Sequence, residues 1–153
     1  MNKLGIFVGS VYGGAEELAE TLAAKLTSAQ VEIFFDSTLD DFMAYDADTV
    51  LVISSTTGQG EIPENLLPLY VALKDQFPLL PKQHYGVIAL GDSSYGEDRF
   101  CGAGRKFDAL LTELHSTSVQ PRLDIDAGVH FDPLDVADSW FTQFIASADQ
   151  VAA

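Results

Sequence analysis

Three segments of the 153-residue chain place glycines, hydroxyl side chains and aromatic rings directly after short apolar runs. Loop A (residues 9–15) reads Gly-Ser-Val-Tyr-Gly-Gly-Ala, and loop B (residues 54–63) has four consecutive hydroxyl residues followed by Gly58 and Gly60. Loop C (residues 91–102) carries Tyr95 and Phe100. Their rings could stack on a planar ligand, each contributing about 1–3 kcal/mol by analogy with base stacking.

The composition of loop A suits a phosphate. Small residues let a backbone approach a ligand closely, and a helix that begins after Gly13-Gly14 would offer unpaired N–H groups and a positive dipole end. No lysine follows these glycines, so the P-loop pattern fails. Taken alone, loop A fits a phosphate site or a tight strand-to-helix turn.

Short apolar runs alternate with helical patterns along the chain. The runs 4–8, 31–35, 50–53, 86–90 and 119–125 predict strands, and apolar residues at spacings of three and four predict helices after Gly14, from Pro63, around Phe107 and around Trp140. This alternation predicts one three-layer α/β domain over residues 1–153, a five-stranded parallel sheet with helices on both faces. Ligands bind such sheets beyond the carboxyl ends of the strands, where loops A, B and C lie, which favours a cofactor site.

The net charge argues against two classes of binding partner. Eight Lys and Arg residues against 23 Asp and Glu residues give −15, which argues against nucleic acid and against anionic lipid as partners, because both need basic surface. No apolar run is long enough to span a membrane. The single cysteine, Cys101, cannot form an internal disulfide. We therefore expect a cytoplasmic protein.

Together the three loops resemble those of flavodoxins. The most specific motifs are GDSSY at 91–95, FCGA at 100–103 and ST-x-G at 55–58. The chain resembles the short-chain, MioC-like bacterial flavodoxins, and TGQGE-x-P at 57–63 is also similar to the FMN domains of diflavin reductases. The resemblance spans essentially the whole chain and implies a flavodoxin-like fold with strand order 2-1-3-4-5, FMN as cofactor and one-electron transfer without catalytic residues.

The resemblance also implies the cofactor contacts. Loop A would hold the FMN phosphate through Ser10, Val11, Tyr12, Gly13, Gly14 and Ala15. Loop B would flank one side of the isoalloxazine through Ser55, Thr56, Thr57, Gly58 and Gln59, and the Gly58 peptide would turn over to accept a hydrogen bond from N5–H of the one-electron-reduced flavin. Loop C would line the other side, with Tyr95 stacked on the ring, through Asp92, Ser94, Tyr95, Phe100 and Cys101.

The sequence departs from the family pattern at three places that affect the expected affinity for FMN. Loop A lacks side-chain donors that the family usually offers, at Tyr12, Gly14 and Ala15, so backbone N–H groups must do more. Thr57 stands where many flavodoxins have Trp, which leaves that face of the flavin less covered. Five residues separate Tyr95 from Cys101 where three are common; the two additional residues either approach the ring edge or bulge away from it.

Thirteen acidic residues lie at the strand exits or in the loops that these open: Glu16, Glu17, Asp36, Asp40, Asp41, Glu61, Glu64, Asp92, Glu97, Asp98, Asp124, Asp126 and Asp132. Four residues of the last loops, Asp124, Asp126, His130 and Asp132, could hold a cation, although a solvated acidic loop is the simpler interpretation. An acidic edge steers basic partners and lowers the potential for adding negative charge to a flavin. Neutralising Asp40, Asp41, Glu61 and Glu64 should weaken electron transfer more than FMN binding.

The resulting hypothesis is a monomeric FMN-containing shuttle that carries low-potential electrons between a basic-surfaced flavodoxin reductase and acceptor redox enzymes in transient complexes. Two alternatives stay open at this point. One is an FMN-dependent NAD(P)H quinone or azo reductase, which would oxidise NADPH without a separate reductase. The other is a flavin-free adaptor that keeps the fold.

Overall fold

Strands and helices alternate along the chain from residue 3 onwards. The structure, a computed structural model, describes residues 1–152, so Ala153, the last residue of the predicted domain, lies outside the described residues. The strands are β1 (Lys3–Gly9), β2 (Gln30–Phe34), β3 (Thr49–Ser54), β4 (His84–Gly91), β5 (Thr117–Ser118) and β6 (Leu123–Asp126). The helices are α1 (Gly14–Ala23), α2 (Leu39–Tyr45), α3 (Leu67–Gln76), α4 (Gly102–Glu113) and α5 (Leu134–Ala152). None of the helices within residues 1–152 is both long and apolar enough to cross a bilayer.

All strand pairs in the sheet are parallel, and the order β2-β1-β3-β4-β5 confirms the predicted topology. The predicted fifth strand, 119–125, is wrong as one continuous element. Two short strands, β5 and β6, both pair with β4 in its place. The gap contains Pro121, which has no N–H to donate to β4, so the ladder breaks there and resumes at Leu123.

Two hydrophobic clusters cover the two faces of the sheet because successive strand residues point to opposite sides. Ile6 belongs to the cluster under α1 and α5, where the Trp140 and Phe144 rings stack at 5.2 Å between centroids. Phe7 belongs to the other cluster, under α2, α3 and α4, together with Phe107. This arrangement confirms helices on both faces of the sheet.

Two helices differ from the sequence prediction. The segment before β3 was not predicted as a helix, yet it forms α2, whose start is fixed by a capping box between Thr38 and Asp41. The helix predicted to open at Pro63 begins four residues later. The Pro63 carbonyl instead closes a turn by accepting the N–H groups of Leu66 and Leu67, at 3.0 and 2.9 Å.

Candidate functional site

Loops A, B and C meet at one edge of the sheet. They follow β1, β3 and β4, which are neighbours in the sheet, and the parallel register pairs Gly9 with Ser54 and Ser54 with Ala89. All sixteen predicted cofactor contacts lie in these loops or in the first turn of the helix that follows. The edge is the position where parallel α/β sheets bind ligands.

Loop A ends in an uncapped helix N-terminus. Gly13 adopts the left-handed region with φ of 89°, and its N–H donates to Ser10 Oγ at 2.9 Å. No side chain caps the first turn of α1, and a Cβ added to Gly13 or Gly14 would meet no atom within 4 Å. The N–H groups at residues 14–16 therefore have no side-chain partner, which is the arrangement that binds phosphate.

The side chains of loop A contribute little to that surface. Ala15 is completely buried, whereas Tyr12 is 99% exposed and Val11 is half exposed. Apart from the Ser10 and Tyr12 hydroxyls, loop A offers only backbone donors.

Asn65 was missed by the sequence reasoning, and it fixes the exit of β1. Its Oδ1 accepts the Ser10 N–H at 3.0 Å, and its Nδ2 donates to the Val8 carbonyl at 3.0 Å. The only signal in the sequence is one amide residue after Pro63-Glu64 and before the apolar start of α3. Such a long-range bond cannot be read from residue spacing.

Loop B is a tight turn held by its own backbone. Thr57 and Glu61 bond to each other through main-chain groups at 2.9 and 2.8 Å, and the turn passes through Gly58 and Gly60 with φ of 48° and 87°. The Thr56 Oγ1 atom is buried and has no hydrogen-bond partner. A buried hydroxyl left unpaired costs free energy, so this atom marks a place where a polar ligand group fits. Of the other predicted contacts in loop B, Ser55 is partly exposed and Gln59 is exposed.

Loop C begins with a short 3-10 helix, Ser93–Tyr95, capped by Asp92, whose carboxylate accepts the Ser94 N–H at 2.9 Å. Asp126 of β6 anchors the same turn, because its carboxylate accepts the Ser93 N–H at 3.1 Å. The hydrogen bonds from Ser93, with that from the Gly128 N–H, lower the pKa of Asp126. The Tyr95 ring is 65% exposed, so one of its faces is available to a planar ligand.

Loops B and C touch through glycine. A Cβ on Gly102 would lie 2.5 Å from the Gly60 carbonyl oxygen, and a Cβ on Gly60 would lie 3.3 Å from Arg99 Cα. The backbone of Arg99 in loop C therefore lies against Gly60 of loop B. The side chains of Asp98 and Arg99 remain exposed.

The side chain of Cys101 points into the protein, so any contact of this residue with a ligand would be through its backbone. The residue is 0% exposed, and its Sγ lies 3.4 Å from the Ala89 carbonyl oxygen. Its backbone is left-handed, with φ of 54°, which turns the chain into α4 and points the side chain inward. Burial, with the nearby Asp124 charge, raises the pKa of the thiol to about 12.

Native Cys101 is expected to react with a thiol reagent at pH 8 at least ~100-fold more slowly than in urea-unfolded protein, because the thiolate is the nucleophile and the side chain must first be exposed. The pKa in the folded state is above the ordinary value of 9.0. The contribution of this group to the free energy of unfolding is therefore complete below pH 9 and is lost as the pH rises towards 12. Stopped-flow labelling with and without urea measures the rate, and rapid labelling of the folded protein would contradict the buried position.

Acidic side chains surround the three loops. Asp36 and Glu64 line a groove of about 710 Å³ together with Ser10, Val11 and Thr57. Asp41 is already engaged in the cap of α2, and Asp124 and Asp132 bond to Arg122 and to the Leu134 N–H. Within residues 1–152, no group of His, Cys, Asp or Glu side chains is arranged to hold a metal ion.

The fold and these loops match known proteins. The family model for flavodoxin matches residues 6–140. The chain belongs to the flavodoxin family. It is 44% identical to flavodoxin YqcA of Pectobacterium carotovorum subsp. carotovorum over 142 residues, covering 92% of this chain and 93% of that one.

A solved structure and a longer relative agree with this flavodoxin assignment. A cysteine-to-serine mutant of flavodoxin from Pseudomonas aeruginosa superposes with a TM-score of 0.87 at 40% identity, covering 96% of this chain and 99% of the other. The sulfite reductase [NADPH] flavoprotein alpha-component of Aliivibrio fischeri is 38% identical over 127 residues, which are 81% of this chain and 21% of that protein. Both resemblances read from the sequence, to flavodoxins and to diflavin reductases, are confirmed. Family membership supports an FMN-binding electron carrier.

Proposed function

We propose that this flavodoxin binds FMN at loops A, B and C and carries single electrons, as a monomer, between a basic-surfaced reductase and acceptor redox enzymes. The observation that supports this best is the open, uncapped N-terminus of α1 at the same sheet edge as loops B and C. Four features suit the parts of FMN. They are uncapped N–H groups for the phosphate, a buried unpaired Thr56 hydroxyl for a polar group, and the Gly58 peptide, with φ of 48°, and the exposed Tyr95 ring for the isoalloxazine.

Each loop has a distinct task in this proposal. Loop A binds the phosphate through backbone N–H groups, with Ser10 holding the Gly13 turn. Gly58 has no Cβ, so its peptide can present either its carbonyl or its N–H at little cost. Tyr95 and Phe100 of loop C cover apolar ring surface. When bound, FMN supplies the one-electron reduction and oxidation that none of these side chains can perform.

The acidic groups determine the kind of partner. Asp36, Glu61 and Glu64 are exposed beside the loops, and a field of this sign speeds encounter with a basic surface without strong binding. The complex with a reductase is therefore expected to be transient and sensitive to salt.

A reconstituted electron-transfer chain tests the function. FMN-loaded protein is mixed with NADPH, an NADPH-dependent flavodoxin reductase and cytochrome c as acceptor. We expect cytochrome c reduction to accelerate only when all components are present. Steady NADPH oxidation by the FMN-loaded protein without the reductase would contradict a pure carrier and favour an NAD(P)H-dependent reductase.

Gly13→Ala is expected to weaken FMN binding about tenfold, because a non-glycine residue costs about 1–2 kcal/mol in the left-handed region and would move the N–H groups of loop A. Gly14→Ala is the matched control. Its backbone is not left-handed and its Cβ would meet no protein atom within 4 Å. The N–H groups of loop A therefore keep their positions, and the loss of affinity should be smaller than in Gly13→Ala. Fluorescence titration measures both variants, and equal effects would contradict the assigned geometry of loop A.

A further inference from the structure

The backbone hydrogen bonds that loop C makes within itself are all local. Between Tyr95 and Gly102 its backbone bonds are short-range turns, with Arg99 and Phe100 N–H groups both donating to the Gly96 carbonyl at 3.2 and 3.0 Å. The side chains at residues 94–99 are all exposed. A segment of this kind unfolds locally at little cost in free energy unless a residue elsewhere in the chain binds to it.

Arg105, in the first turn of α4, contacts this segment twice. Its Nη1 donates to the Glu97 carbonyl at 3.0 Å. Its guanidinium carbon lies over the Phe100 ring, 5.6 Å from the centroid, within the range of a cation–π contact. One planar side chain thus holds both the backbone and the aromatic residue of loop C.

The sheet edge behind Arg105 supports the guanidinium group. Its Nε lies 4.0 Å from the Asp124 carboxylate of β6. Asp124 is itself held by Arg122 Nε at 2.8 Å, and Arg122 also pairs with Asp108 of α4 at 2.7 Å. The Tyr85 hydroxyl completes the cluster by donating to Asp108 at 2.6 Å, and burial together with this bond raises the pKa of Tyr85 to about 12.

We propose that Arg105 is a positioning residue for the flavin site: it fastens the Glu97 backbone and the Phe100 ring of loop C to α4, so that loop C closes against loop B. The inference rests on the proposed FMN function for its effect on affinity, but its structural part concerns the protein without a ligand. It explains how loop C keeps a defined position beside Gly60. Lysine would keep the charge and one hydrogen bond but lose the flat contact with Phe100.

The experiment compares Arg105→Gln and Arg105→Lys with Lys106→Gln, which removes the same charge from the neighbouring exposed residue of α4. Amide hydrogen exchange is measured on the full chain without and with FMN, and the FMN dissociation constant is measured by fluorescence titration. For Arg105→Gln we expect exchange at residues 96–100 to be about tenfold faster and FMN binding about fivefold weaker, since the tether is a charge-assisted hydrogen bond. Arg105→Lys should fall between wild type and Arg105→Gln, and Lys106→Gln should match wild type.

The two readouts separate the possible failures. Unchanged exchange at residues 96–100 in Arg105→Gln would overturn the tether. Faster exchange with unchanged FMN affinity would overturn the positioning role, and equal weakening by Lys106→Gln would show that net charge alone acts. If the wild-type protein fails to bind FMN, the proposed function is wrong, together with the role of Arg105 in affinity, and the exchange data still decide whether Arg105 fastens loop C.

Discussion

Gly102→Ala is expected to weaken FMN binding by at least about tenfold and to lower the free energy of unfolding by about 1–3 kcal/mol, which is the usual cost of forcing extra volume into a packed site. The added Cβ would lie 2.5 Å from the carbonyl oxygen and 2.7 Å from the Cα of Gly60. Both are backbone atoms, so no side chain can rotate away. Loops B and C must separate, and a ligand held between them loses its fit.

Chemical denaturation and FMN titration of the purified variant measure the two effects. Gly14→Ala serves as the control for denaturation, because it adds the same methyl group at a position where no protein atom lies within 4 Å. Denaturation gives a result even if the variant no longer binds FMN. Wild-type stability and wild-type affinity in Gly102→Ala would contradict the close contact between loops B and C.

Neutralising acidic residues beside loops A and B is expected to slow electron transfer from the reductase. The four acidic residues chosen for neutralisation from the sequence included Asp41. Its carboxylate accepts the Thr38 N–H in the capping box of α2, so its removal would also disturb that helix. A better variant uses four exposed acids near loops A and B: Asp36→Asn, Asp40→Asn, Glu61→Gln and Glu64→Gln. Electron transfer from a basic reductase should fall about tenfold at low ionic strength, with FMN affinity unchanged within about twofold.

A matched control removes the same number of charges from the opposite end of the molecule, near the C-terminal ends of four helices: Glu20→Gln, Asp46→Asn, Asp75→Asn and Glu113→Gln. Transfer rates are measured across a salt series by stopped flow. The difference between the two variants should disappear at high ionic strength, because salt screens exposed charges beyond about 10 Å at 0.1 M. Equal rates for both variants at low salt, or a larger loss in FMN affinity than in transfer rate, would contradict docking at this edge.

Much of the architecture could be predicted because it depends on local patterns. Apolar runs and helical periodicity identified the parallel sheet, and strand exits identified loops A, B and C. The split of the fifth strand was also readable in principle, since Pro121 lacks the N–H that a ladder needs. Thr38 and Asp41 form a capping pattern that indicates the start of α2, although hydrophobic periodicity alone did not indicate this helix.

The remaining features depend on distant residues and could not be predicted. Asn65 bonds to β1 across 55 and 57 positions of the chain. The contact of Gly60 with Gly102, the tether from Arg105 to Glu97 and the inward position of the Cys101 thiol all depend on how two loops and a helix pack in space. Residue types suggested which groups could act, but only the packing shows which atoms are presented to a ligand.

If loops A, B and C together form an FMN site, the purified flavin-free protein must bind FMN in a direct titration. We expect quenching of FMN fluorescence with an equimolar end point, and weaker binding of riboflavin, which lacks the phosphate that loop A would hold. A protein that is folded by circular dichroism and leaves FMN fluorescence unchanged would contradict the account and favour a flavin-free adaptor.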